Sequence, residues 1–184
     1  MIRFGFLPTH DNMLRLVKPT YKYRKSFLAA LEEFKDVPAG IFDGDLARTN
    51  FKAYLTRVKN YETGTNLSKG LVPASTFWLI DGNEFIGGVS FRHRLNKKLK
   101  EYGGHIGYSI RPSKRKKGYG TKMLALTLKR IKKDFALNKV MVSCDNDNAG
   151  SQKIIQANGG VLQDVINTKY NPHNKPLMRW WINL

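Results

Sequence analysis

The period at which apolar residues recur changes repeatedly along the chain, and each change marks a different kind of element. Met13 to Val17 alternates as a short strand. Pro19 suits the first turn of a helix, where its missing N–H falls among amides that helices leave unpaired. Tyr23, Phe27, Ala30, Leu31 and Phe34 then recur at helical spacing, and Asp36-Val37-Pro38-Ala39-Gly40 ends that helix. Leu46, Phe51, Tyr54, Leu55 and Val58 form the inward face of a second helix from about Asp45 to Tyr61, with Asp45 placed to cap it. Thr63 to Ser75 reads as a polar, glycine-containing loop.

From Thr76 the period shortens to two. Thr76–Ile80 and Phe85–Leu95 are predicted strands joined by a tight turn at Asp81-Gly82-Asn83-Glu84, with Gly87-Gly88 marking a bulge. Asn96–Glu101 is a basic connection, and Gly104–Ile110 is the next strand. Beyond it, strand and helix alternate. Met123, Leu124, Leu128, Ile131 and Phe135 share one face of a helix from Gly118 to Phe135, and Lys139–Ser143 is a strand. Asn148–Ala157 is a helix closed by Asn158-Gly159-Gly160, where glycine takes the left-handed cap. Val161–Asn167 and Leu177–Ile182 are the final strands, joined by a loop containing Pro172 and Pro176. The strand–helix–strand from Gly104 to Ser143 is expected to be a right-handed parallel crossover.

The length, 184 residues, suits one domain spanning residues 1–184 with a sizeable core. An apolar fraction of 41% and a charged fraction of 25% are ordinary for a globular chain, so disorder throughout is not expected. No run of about eighteen apolar residues exists, so no membrane span is expected, and Met1–Leu7 lacks the pattern of a signal peptide. Cys144, the only cysteine, has no internal disulfide partner, which fits a cytoplasmic setting. The charge alters this ordinary picture. Lys and Arg total 32 against 14 Asp and Glu, a net charge of +18, and such a surface attracts polyanions. The run from Arg111 to Lys133 holds ten of these basic residues and no acidic one.

That run surrounds the main candidate for chemistry. A strand ends near Pro112 and a helix begins near Gly118, with Lys114-Arg115-Lys116-Lys117-Gly118-Tyr119-Gly120-Thr121 between and across them. A helix start offers unpaired N–H groups and the positive end of the dipole, and glycines let phosphate oxygens approach the backbone. The bland alternative is a glycine-eased turn with a solvated lysine cluster. The segment is neither a Walker loop nor a dinucleotide Gly-x-Gly-x-x-Gly. The histidines are scattered, so no metal site is visible.

The stretch Gly107-Tyr-Ser-Ile-Arg-Pro-Ser-Lys-Arg-Lys-Lys-Gly-Tyr-Gly120 resembles the acetyl-CoA motif of the GCN5-related N-acetyltransferase (GNAT) superfamily, with Ile110 five residues before Arg115 and Pro112 between them. The resemblance continues through Ser143-Cys-Asp-Asn-Asp-Asn-Ala-Gly-Ser151 to Asn158-Gly-Gly160, covering about 76–166, the expected cofactor-binding core. Arg92-His-Arg-Leu-Asn96, Gly103-Gly-His105 and Arg179-Trp-Trp-Ile182 look like one bacterial branch of the superfamily. The first 75 residues match only in general pattern.

The resemblance implies an α/β (α+β) fold. Its central sheet is mixed and mostly antiparallel, with about six or seven strands, a splayed parallel pair and about four flanking helices. It implies that acetyl-CoA lies in the splay, with its pantetheine arm near Ile110 and its pyrophosphate on Arg115, Lys116, Lys117, Gly118, Tyr119, Gly120 and Thr121. Asn148 is similar to the asparagine that contacts the cofactor arm, and it also suits a helix N-cap. The implied reaction is direct attack of a primary amine on the thioester. Many relatives place a tyrosine acid seven residues after that asparagine; here the position is Ile155. Ser151, counted with Asn148 among the cofactor contacts, is also the nearest replacement acid, as in relatives that resemble Asn-x-x-Ser, and His105 is the leading base, with His93, Glu84 and Glu101 behind it. A buried structural thiol is the expected role of Cys144.

Two other functions remain open at this level. A nucleic-acid or ribosome-associated binding module is motivated by the charge and by Tyr21-Lys-Tyr-Arg-Lys25, though it is not favoured. A fold that binds coenzyme A without turnover is motivated by Ile155. The expected partners are acetyl-CoA and an unidentified amine on a small molecule, peptide or protein, with the chain a monomer or homodimer.

Overall fold

The computed structural model describes residues 14–34 and 43–184. Met13 and the expected helix end at Asp36–Gly40 lie outside them. Seven strands form one sheet: β1 (Leu14–Val17), β2 (Ala74–Asp81), β3 (Glu84–Arg92), β4 (Ile106–Ile110), β5 (Lys139–Asp145), β6 (Val161–Ile166) and β7 (Leu177–Asn183). Their order is β1-β2-β3-β4-β5-β7-β6, antiparallel everywhere except between β4 and β5. The helices are α1 (Arg24–Glu33), α2 (Gly44–Thr49), α3 (Phe51–Thr63), α4 (Lys97–Glu101), α5 (Tyr119–Asp134) and α6 (Ala149–Gln156). This is the mixed, mostly antiparallel sheet that the sequence predicts.

β2 is buried from Ala74 to Ile80 because both of its faces are covered. Successive strand residues point to opposite faces. Trp78, Ile80 and Phe85 therefore join Phe27, Leu31 and Tyr54 of the N-terminal helices in one cluster, where the Phe27 and Trp78 rings stack 4.4 Å apart. Phe77, Leu79, Ile86 and Val89 join Met123, Leu124 and Ile131 of α5 in the other. Each such large side chain contributes about 1.5–3 kcal/mol on burial.

Local chemistry shifts some expected boundaries. The expected helix from Asp45 to Tyr61 is two helices, because Asn50 leaves helical geometry (φ −146°) and its Oδ1 accepts from the Ala53 amide at 3.0 Å, capping α3. Asp45 caps nothing; it lies inside α2 and pairs with Arg48. The Asn96–Glu101 connection contains a short helix, capped by Asn96 Oδ1 on the Leu99 amide. The β2–β3 register does slip beside Gly87, between Leu79 and Ile80.

The parallel pair positions the site. β4 and β5 meet in a single paired position, Ile106 with Val142. Just before it, the His105 amide donates to Met141 O (2.7 Å) and the Met141 amide donates to His105 Nδ1 (2.9 Å). Gly104 precedes this clamp at φ +60°, and a Cβ there would lie 2.5 Å from Met141 O. No other residue type fits without moving the strands apart. Beyond Val142 the strands are unpaired, which opens a wedge towards Ile110 and Asp145.

His105 gives the fold a pH signature. Burial, aided by the Arg92 charge, pushes its imidazole from 6.5 down to about 4. Below pH 6.5 the unfolded chain takes up a proton that the folded chain refuses until about pH 4. This contribution to stability is present above pH 6.5 and is lost as pH falls through that window, by up to about 3 kcal/mol. Urea unfolding from pH 7.5 to 4.5 should show a shallower loss for His105→Ala than for the wild type, and lower stability of the variant at pH 7. Parallel curves would contradict the assignment.

Candidate active site

A cavity of about 350 Å³ fills the wedge. β4 lines it from Ile106 to Ser109 and β5 from Ser143 to Asp145, while Asn148 and Ser151 close one side. Arg92, Tyr102 and His173 stand around the rest. Inside it, the Tyr108 hydroxyl and Ser151 Oγ are 2.8 Å apart. Burial pushes Tyr108 up to about 12, against the opposing effect of the Ser151 bond, so at neutral pH the pair is a chain of two protonated hydroxyls. Burial also raises the Cys144 thiol. It stays protonated and does not suit a nucleophile. Asn148 Oδ1 accepts from the Ser151 amide at 3.0 Å. Asn148 thus caps α6 and also lines the cavity.

At the wedge's open end, β4 runs through a short turn, Pro112–Lys114, into α5. Lys116 (φ 59°) and Gly118 (φ 78°) are both left-handed, and the α5 start carries no side-chain cap and no acidic residue. The amides of Lys116 to Thr121 make no hydrogen bond among the described residues. The Arg115 amide is committed to Pro112 O (3.2 Å), so the free run begins one residue later than the resemblance implies. Arg115 Nε donates to Ile110 O at 3.1 Å, fixing the strand end. Lys117 Nζ reaches Ser113 O at 3.3 Å, and the side chains of residues 115–117 are exposed. Tyr119 is tied to Asp81 Oδ2 by its hydroxyl (3.0 Å).

The turn is held from below by carboxylates. Glu33 of α1 accepts from Arg111 Nε (2.6 Å) and from the Ser113 amide (3.0 Å). Burial raises Glu33, but these bonds outweigh it and hold its carboxyl below the ordinary value. Glu84 takes Arg111 at 3.2 Å and Lys114 at 2.6 Å. Arg111 and Lys114 are therefore internal to the turn, and the outward positive charge is that of Arg115, Lys116 and Lys117.

The expected bases are not in the cavity. His105 is buried behind the clamp, with Nδ1 occupied by the Met141 amide. His93 lies beside Phe91 and Phe135, its Nε2 within 2.9 Å of Ser75 Oγ, and burial pushes its imidazole down. Glu84 belongs to the turn, and Glu101 accepts from Thr168 Oγ1 at 3.1 Å. Ile155 is fully buried in the core, so its position faces no ligand. Sequence reasoning passed over Tyr108, Arg92 and His173. Tyr108 carried a signal: it shares a strand face with Ile106 and Ile110. Of the interleaved aromatics at Tyr21–Lys25, Tyr23 is buried with its hydroxyl bonded to Arg15, which leaves only Tyr21 exposed.

Among the described residues no helix is long and apolar enough to cross a membrane, and no group of three or more His, Cys, Asp or Glu could hold a metal. A more open depression of about 520 Å³ runs along α3, bounded by Asn50, Arg57, Tyr61 and Leu71 among others. The Tyr108–Ser151 pair is not part of it.

A sheet with one splayed parallel pair and a bare helix start at its mouth defines a class, and the sequence agrees: residues 14–161 match the acetyltransferase (GNAT) domain family, to which this chain belongs. Among solved structures it is similar to RimL, the ribosomal L7/L12 alpha-N-protein acetyltransferase in complex with coenzyme A (14% identity, 96% of this chain and 97% of that chain, TM-score 0.70). It is similar too to the microcin C7 self-immunity acetyltransferase MccE in complex with acetyl-CoA and AMP (15% identity, 94% and 93%, TM-score 0.68). A third is Mycobacterium smegmatis RimJ in complex with CoA-disulfide (13% identity, 92% and 81%, TM-score 0.71). At these identities the likeness establishes the fold. No curated protein matches the chain's sequence.

The Tyr108–Ser151 contact is measurable as a coupling. In a double-mutant cycle of Tyr108→Phe and Ser151→Ala, unfolding free energies should be non-additive by about 0.5–1.5 kcal/mol. Additive losses would show that the hydroxyls do not bond.

Proposed function

We propose that the chain is an acetyl-CoA-dependent N-acetyltransferase that moves an acetyl group to a primary amine of a small molecule, peptide or protein by direct attack. The observation that carries this reading is the continuous path from the free amides of Lys116–Thr121, along the unpaired edge of β4, to the Tyr108–Ser151 hydroxyls. That path has an anion site at one end and a proton donor at the other, as coenzyme A and its departing sulfur require. Relatives of the same fold hold coenzyme A or acetyl-CoA.

Acetyl-CoA supplies the acetyl group as a thioester. The amides from Lys116 to Thr121, with Arg115, Lys116 and Lys117 around them, bind its pyrophosphate. The backbone at Ile110 and the Asn148 side chain lie along its pantetheine arm. The amine nitrogen forms its bond to the acetyl carbon as the carbon–sulfur bond breaks. Ser151, backed by Tyr108, gives the departing sulfur its proton. The pair takes over from the tyrosine that many relatives carry at the Ile155 position, which is the reason turnover is favoured over binding alone. The acceptors in the relatives' names differ, so the amine is left at the level of its class.

Two measurements test this. Coenzyme A should raise the melting temperature, and reversing the charge at Lys116 and Lys117 (K116E/K117E) should weaken its binding roughly tenfold, a loss of about 1.4 kcal/mol. Thiol release from acetyl-CoA should appear with at least one member of an amine panel. The Tyr108→Phe/Ser151→Ala double variant should then lower kcat by about a hundredfold or more while leaving coenzyme affinity little changed. Absence of any coenzyme A effect, with tight RNA binding at physiological salt, would favour the nucleic-acid module instead.

A further inference from the structure

The cavity rim carries a histidine that neither the motif nor the resemblance marks. The segment 167–176 joins β6 to β7 and packs over the end of β5. Its anchor is Asn171, which is 2% exposed. Asn171 Nδ2 donates to Asp145 Oδ1 and to Lys175 O, both at 2.8 Å, and Asn171 Oδ1 accepts from the His173 amide at 3.1 Å. The Asn146 amide donates to Pro176 O at 3.0 Å, and Lys175 pairs with Asp147 at 2.5 Å. The loop is thus bonded to β5 and the turn after it through several independent contacts, and its side chains are held.

Within this frame His173 Nδ1 lies 2.5 Å from Asp145 Oδ2. Both oxygens of Asp145 are engaged, one by Asn171 and one by His173. A carboxylate only accepts, so the proton in this contact belongs to Nδ1, and in the neutral ring the lone pair is on Nε2. Nε2 makes no hydrogen bond among the described residues, and the ring is about half exposed (45%) on the cavity that also holds Ser151 and Tyr108. A carboxylate that fixes an imidazole's tautomer and stabilises its charged form is the arrangement that makes histidine an effective base.

We propose that His173 is the general base for the acceptor amine, with Asp145 as its positioning residue. The inference rests on the acetyltransferase reading above. His173 Nε2 takes the proton that the amine nitrogen loses as the nitrogen–carbon bond forms. The carbon–sulfur bond breaks with its electron pair on sulfur, which is protonated through Ser151. The imidazolium then passes its proton to water at the open face of its ring. The charged and titratable groups around His173 are Asp145 of β5, Asp147 of the turn before α6 and Lys175 of its own loop, while Arg92 of β3, Tyr102, Tyr108 and Cys144 line the same cavity, where the Asp145 charge helps to raise Tyr102 and Cys144. His105 and His93 have no comparable position, being committed elsewhere and outside the cavity.

The test uses the full chain and follows thiol release from acetyl-CoA between pH 5.5 and 9. The amines are spermidine, an aminoglycoside, and short peptides with a free serine or alanine N-terminus. Acetyl-CoA binding is measured in parallel by thermal shift. For an amine that the wild type acetylates, His173→Gln should lower kcat about a hundredfold at pH 7, remove the acidic limb of the kcat profile and leave acetyl-CoA binding intact. Asp145→Asn should give a smaller loss of kcat with little change in KM for the amine. Added imidazole should restore part of the activity of His173→Ala, which a merely structural histidine would not allow. A His173→Gln variant with wild-type kcat and an intact acidic limb overturns the base while leaving the acetyltransferase reading in place. A wild type that binds acetyl-CoA yet acetylates no member of the panel counts against turnover and base together. A wild type that does not bind acetyl-CoA at all removes the parent reading.

Discussion

The site depends on one short clamp between β4 and β5. Two hydrogen bonds join His105 to Met141, one through the backbone and one through the imidazole, and Gly104 lets the strands come that close. A parallel pair normally zips along its length. Here it is fastened at one end and paired at a single position, so the strands diverge and the cavity opens between them. The clamp also explains why a histidine sits where a catalytic base was expected. Its ring serves as a hydrogen-bond acceptor in the interior, and the resulting low pKa is a by-product of burial.

The second constraint is electrostatic. The basic run looks uniform in sequence, yet the structure divides it. Glu33 and Glu84 absorb Arg111 and Lys114 beneath the turn. These partly buried pairs link α1 and the β2–β3 turn to the start of α5. Arg115 spends its Nε on Ile110 O while remaining exposed. The free amides therefore lie on a loop fixed from several sides, and preorganisation of this kind would lower the cost of binding an anion there. Two members of the basic run are thus neutralised within the fold, and the unpaired positive charge at the turn is that of Arg115, Lys116 and Lys117.

Much of the fold was legible because period and punctuation are local properties. The α5 face, the Gly159 cap and the β2–β3 hairpin all follow from neighbours a few residues apart. The break at Asn50 was missed because the apolar positions continue through it in phase, while the side chain quietly caps a new helix. The run of free amides at the start of α5 was legible for the same local reason: it is built from consecutive residues. The pairings proposed to handle protons were not, although Ser151 alone was singled out. Tyr108 and Ser151 are 43 positions apart, and Asp145 and His173 are 28 apart. Only the crossover through α5 and the return of the loop before β7 bring them to one cavity. His105 was misplaced because its direction depends on the turn at Gly104, which a simple alternation does not register.

Together these features describe an acetyltransferase-family chain whose wedge has one end set by backbone geometry and the other by long-range contacts. The proposed function puts coenzyme A in the wedge with its pyrophosphate on the start of α5. Amide hydrogen exchange with and without saturating coenzyme A tests it directly. Slowed exchange is expected, confined to Lys116–Thr121 and the Gly107–Ile110 edge of β4. Binding at saturation with no protection there, or with protection along α3 instead, would contradict it.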